Sequence, residues 1–145
     1  MSVLPGSLPP LARAARDWKT IRVRPAAPAA IPDAKYNWGI FAGINNFRAK
    51  GVAPLRFCAN DARSLYDALT GPNKLIPADQ SFLPASDRTG KDEPTRVNIL
   101  KTIKYACDNA KEDSLILVSI STRGFAGAGK AAYILPKDGD LEVKT

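Results

Sequence analysis

The chain is 145 residues long and 45% hydrophobic, which is enough to bury the core of one domain. It contains no histidine, so the commonest general base near neutral pH and the commonest zinc ligand are both missing, and no Ser-His or Cys-His pair can form within it. The net charge is +7, but six basic and two acidic residues fall in positions 1–35, so more than half of the excess belongs to that stretch.

Residues 1–35 hold Pro5, Pro9, Pro10, Pro25, Pro28 and Pro32 among many alanines. They read as a basic, largely extended leader or prodomain with one short helix near Leu11 to Trp18. A single domain is expected over 36–145. Its first strand falls at about 37–44, and Asn45, Asn46 and Gly51 mark the loop after it. A helix is expected to start near Asn60 or Asp61, with Leu65, Tyr66 and Leu69 inward, and to stop before Gly71-Pro72. A short strand follows near Ser81 to Pro84. The next helix starts after Pro94, carries Val97, Leu100, Ile103 and Ala106 at helical spacing, and ends near Lys111. The apolar run Leu115 to Ile120 reads as a buried central strand over 114–122. A glycine-rich loop, Gly124 to Gly129, and a short strand, Ala132 to Leu135, complete the pattern. Alternating strands and helices predict an α/β fold, a mostly parallel sheet with helices on both faces.

No apolar run is long enough to span a membrane, and the first residues lack the pattern of a secretory signal, so a cytoplasmic protein is expected. Cys58 and Cys107 sit in dissimilar contexts and do not read as a disulfide framework; Cys107, on a helix among apolar neighbours, reads as core. No aromatic-basic interleaving accompanies the leader's charge, so nucleic acid is not an expected partner.

Five segments carry a more specific signal. They are Trp38-Gly-Ile-Phe-Ala-Gly-Ile-Asn-Asn-Phe47, Leu55-Arg-Phe-Cys-Ala-Asn-Asp-Ala-Arg-Ser-Leu-Tyr-Asp-Ala-Leu69, Thr95-Arg-Val-Asn-Ile-Leu-Lys-Thr-Ile103, Ser121-Thr-Arg-Gly124 and Ala132-Tyr-Ile-Leu-Pro-Lys-Asp138. In this order they resemble the large-subunit, p20-like half of the caspase superfamily, peptidase family C14, in its metacaspase and bacterial orthocaspase forms. The resemblance implies a caspase-like three-layer αβα sandwich, incomplete at its C-terminus. Two positions depart from the pattern: Phe57 stands where the family has glycine, and Arg123 where it has the catalytic histidine.

The resemblance also assigns roles. In the family the histidine at residue 123 works with a cysteine on the next central strand, well downstream, and that segment is expected to be missing from residues 1–145. Gly124 would offer its N–H to an oxyanion. Cys58, Asp61 and Ser121 would line the pocket for the residue before the cleaved bond, and the Asp61 carboxylate would favour Arg or Lys there. The plainer alternatives stay open: Cys58 as a packing residue, Asp61 as a helix cap, Ser121 as a strand hydroxyl and Gly124 as a turn glycine. Arg123 stays protonated and cannot act as a base, so the chain is expected to be catalytically inactive.

No cofactor is expected, although Asp138, Gly139 and Asp140 offer a weak calcium site such as some metacaspases carry. The run from Gly124 through Gly127 and Gly129 to Lys130 departs from a phosphate-binding loop, because alanines follow the lysine. Three functions fit these observations: a pseudoprotease that binds peptides or pairs with a small-subunit-like segment or another caspase-like chain, an altered piece of an active protease, or a basic interaction module with an anionic partner. Without further strands, one edge and face of the sheet would stay uncovered, which predicts pairing with another chain or aggregation.

Overall fold

The computed structural model describes residues 33–126 and 132–139. The expected helix near Leu11 to Trp18, the middle of the glycine-rich loop and Asp140 lie outside the described residues.

The molecule is mixed α/β, with three parallel strands, β1 (Trp38–Gly43), β2 (Ser81–Phe82) and β3 (Ile116–Ser121), in the order β2-β1-β3. Helices α1 (Cys58–Leu69) and α2 (Arg96–Asn109) pack on opposite faces. A separate antiparallel hairpin, β4 (Gly124–Ala126) with β5 (Ala132–Ile134), follows β3.

Strand alternation sorts the core. Phe41 points to the α1 face, where it meets Ala62, Ile76 and Leu83, with Leu65, Tyr66, Leu69 and Leu117 around them. Trp38, Ile40, Ala42 and Ile44 point to the α2 face, against Ile99, Ile103, Ala106 and Ile120. All six β1 residues are buried. Full burial of side chains such as Ile40 and Phe41 stabilises the fold by roughly 1.5–3 kcal/mol each. Trp38, Phe82 and Tyr105 add an aromatic cluster, with Tyr105 edge-on to the other two rings at 5.8 and 5.9 Å. Buried Asn37 pins the entry to the sheet, since its Nδ2 donates to the Leu75 carbonyl and its Oδ1 accepts the Leu115 N–H.

Several expectations need correction. Among the described residues the central strand is β1 and β3 lies at the edge, with Val118 41% exposed. The run from Leu115 to Ile120 resembled a buried strand because five of its six residues are apolar, whereas its outer side has no pairing strand among the described residues. Helix α1 starts at Cys58, two residues before the expected position, because its first turn is satisfied from outside. The inward stripe of α2 runs through Ile99, Ile103 and Ala106, leaving Val97 and Leu100 54% and 55% exposed and Cys107 exposed rather than in the core. Positions 124–126 form a strand rather than loop.

Candidate functional site at the carboxyl ends of β1 and β3

In parallel sheets the carboxyl ends of the strands are where ligand-binding groups gather. Here β1 ends at Gly43 and β3 at Ser121, and the two are register partners. The Ile44 N–H donates to the Ser121 carbonyl at 2.9 Å. Ser121 shares the α1 face with Leu117 by alternation. An added Cβ on Gly43 would lie 2.5 Å from the Cys58 carbonyl oxygen and 2.6 Å from Ala59 Cα, so the absence of a side chain lets the start of α1 settle on the strand end. Gly43 thus has Ser121 as its register partner on β3 and the backbone carbonyl of Cys58 over its α1 face.

Asn45 fixes this junction. Its Oδ1 accepts the Ala59 N–H at 3.1 Å and its own carbonyl accepts the Leu55 N–H at 2.8 Å. Its N–H donates to Ser86 Oγ at 2.7 Å, and that of Asn46 reaches the same oxygen at 3.3 Å. A residue from the loop after β1 therefore caps α1, in place of the expected Asn60 or Asp61. Asp61 is exposed in the first turn, where its charge complements the helix dipole. It lies apart from the Gly43 contact, one turn from Cys58 along the helix.

Arg123 is exposed, and its Nη2 donates to the Ala53 carbonyl at 3.3 Å, tying the end of β3 to the loop before α1. Its backbone carbonyl accepts the Leu135 N–H at 2.9 Å, and Thr122 Oγ1 donates to the Leu135 carbonyl at 2.7 Å. Because residues 123 and 135 are a hydrogen-bonded pair in the register that sets Gly124 opposite Ile134, Gly124 directs its N–H away from β5.

Asp138, considered above for calcium, has another task. Its Oδ1 accepts the Arg96 N–H at 2.7 Å and supports the first turn of α2, alongside the Thr95 hydroxyl, which accepts from Asn98. Among the described residues no group of three His, Cys, Asp or Glu is placed to hold a metal. Close by, Glu93 bridges Arg48 and Lys137, each at 2.9 Å. Lys137 first and Arg48 second hold the Glu93 carboxyl below its ordinary range.

No family model matches the chain, and no curated protein matches it. The site's chemistry is accordingly read from its own groups: an arginine, two small polar side chains, and a glycine N–H turned out of its hairpin. Asn45 and Ser86 were not singled out in the sequence as site residues, although the paired asparagines directly after an apolar strand were the available signal. No helix among the described residues is long and apolar enough to cross a membrane.

Proposed function

We propose that the chain is a caspase-like domain of the metacaspase and orthocaspase kind that recognises peptides carrying a basic residue and does not cleave them. The observation that carries this reading is the convergence of Cys58 and Ser121 on Gly43 at the ends of two parallel strands, with Arg123 and Gly124 following directly. Each of these residues belongs to one of the five ordered segments, and the outward N–H of Gly124 fits a hydrogen bond to a peptide carbonyl. Asp61, one turn along α1 from Cys58, would supply the carboxylate that draws an Arg or Lys side chain toward these strand ends.

Cleavage is absent because the chemistry has no base. The Arg123 side chain is a guanidinium, which stays protonated in proteins and cannot take a proton from a thiol. Neither cysteine lies on a strand end: Cys58 opens α1 and the exposed Cys107 lies in α2. A fluorogenic peptide containing Arg or Lys is expected to bind saturably and release no fluorophore, and Arg123→His is expected to give no turnover either. Asp61→Asn is expected to weaken the binding about tenfold, the scale of one charge-assisted hydrogen bond. Turnover by either form would overturn the inactive assignment, and binding indifferent to Asp61 would remove the basic preference.

A further inference from the structure

A second concave feature lies on α2. A groove of about 320 Å3 is lined by Phe82, Lys91, Asn98, Lys101, Thr102 and Tyr105. Helical spacing assembles it: residues 98, 101, 102 and 105 fall on one face of α2, beside the inward stripe of Ile99, Ile103 and Ala106. Phe82 joins them from β2, and Lys91 from the single turn of 3-10 helix at Gly90–Asp92.

Three kinds of group line this groove. Phe82 and Tyr105 supply aromatic surface, their rings edge-on to each other at 5.9 Å. Lys91 and Lys101 are exposed, and among the described residues neither has a carboxylate within ion-pair distance, whereas Lys35, Lys104 and Lys137 each have one. Asp92 and Glu93 follow Lys91 in the chain, but neither lines the groove, and Glu93 is held by Arg48 and Lys137. The third kind is an acceptor. Asn98 directs both amide hydrogens to the carbonyls of Gly90 and Glu93, at 2.8 and 3.0 Å, so its Oδ1 is left to accept. Thr102 gives its hydroxyl hydrogen to the Asn98 carbonyl, at 2.9 Å, and is likewise left as an acceptor.

We propose that this groove binds a small aromatic anion of the nucleoside monophosphate class. The base lies against Phe82 and Tyr105, the phosphate is held by Lys91 and Lys101, and an amino group of the base donates to Asn98 Oδ1. The lining selects this occupant by exclusion: two ammonium groups without carboxylates disfavour a neutral or cationic ligand, the rings favour a planar one, and the acceptors call for N–H donors on it. The volume is at the small end of ligand sites, which suits a mononucleotide.

None of the lining residues belongs to the strand-end site, so this inference stands apart from the peptide-binding reading and its test uses no peptide. The full chain is titrated with adenosine monophosphate at low ionic strength, followed by calorimetry and by backbone amide resonances, with adenosine and inorganic phosphate as the two half-ligands. Saturable single-site binding is expected, with shifts at residues 82, 91, 98, 101, 102 and 105, and each half-ligand is expected to bind about tenfold more weakly or worse. Lys91→Glu and Lys101→Glu, both at exposed positions, are each expected to weaken nucleotide binding about tenfold while leaving the circular dichroism spectrum unchanged. Added salt is expected to weaken it as well. An absence of saturable binding would overturn the proposal. So would inorganic phosphate binding as tightly as the nucleotide, or a nucleotide affinity indifferent to both lysine variants.

Discussion

Gly43 is the residue on which the strand end depends, because the Cys58 carbonyl and Ala59 Cα occupy the space any side chain there would need. Backbone cannot give way as a flexible side chain can, so Gly43→Ala is expected to lower stability by about 1–3 kcal/mol. The urea midpoint should fall with the slope of the transition unchanged, and an unaltered midpoint would show that α1 does not rest on β1 as described. Asn45 illustrates what the sequence conceals at this scale. Two asparagines after an apolar strand signal a loop, but a helix cap supplied from fourteen residues upstream leaves no local pattern at the helix it caps. Asp138 escaped for the same reason, since an aspartate near a glycine is the common signature of a turn and the helix it supports starts 42 positions earlier. Arg123 lies at the other extreme: its consequence for catalysis follows from residue type alone.

At the scale of elements, the existence and order of strands and helices were legible because β1, α1 and α2 each carry an apolar pattern of clear period. Which strand is central was not legible. The runs in β1 and β3 are both apolar, and only the pairing shows that Trp38–Gly43 has neighbours on both sides. The α2 stripe was misassigned by choosing Val97 and Leu100 rather than Ile99, with Ile103 and Ala106 common to both choices. The junction between the loop after β1, the entry to α2 and the segment after β5 rests on Glu93 with Lys137 and Arg48. Because these cations lower the Glu93 pKa in the folded chain, their stabilisation is present above the ordinary glutamate value of about 4.3. It is lost as pH falls through the lower folded value. Glu93→Gln is therefore expected to reduce stability at neutral pH and to flatten its decline in acid, as read from urea midpoints between neutral and acidic pH. Parallel profiles for the two proteins would show that the bridge contributes nothing.

For the whole molecule, the α/β class and a helix on each face of a parallel sheet agree with the sequence reading, while the proposal that the sheet is caspase-like rests on the resemblance of the five segments. What the structure adds is a division of labour around β3. Its carboxyl end gathers Ser121, Arg123 and Gly124 beside α1, and the backbone groups of Ile116, Val118 and Ile120 face away from β1. The central claim, that a basic peptide is recognised at the ends of β1 and β3, is tested most directly by following backbone amide resonances of the isotopically labelled chain as an arginine-containing peptide is added. Saturable shifts confined to residues 43–46, 58–61 and 121–124, with the peptide recovered intact, are the predicted result. Shifts absent from those segments, or located along the α2 groove instead, would contradict the account.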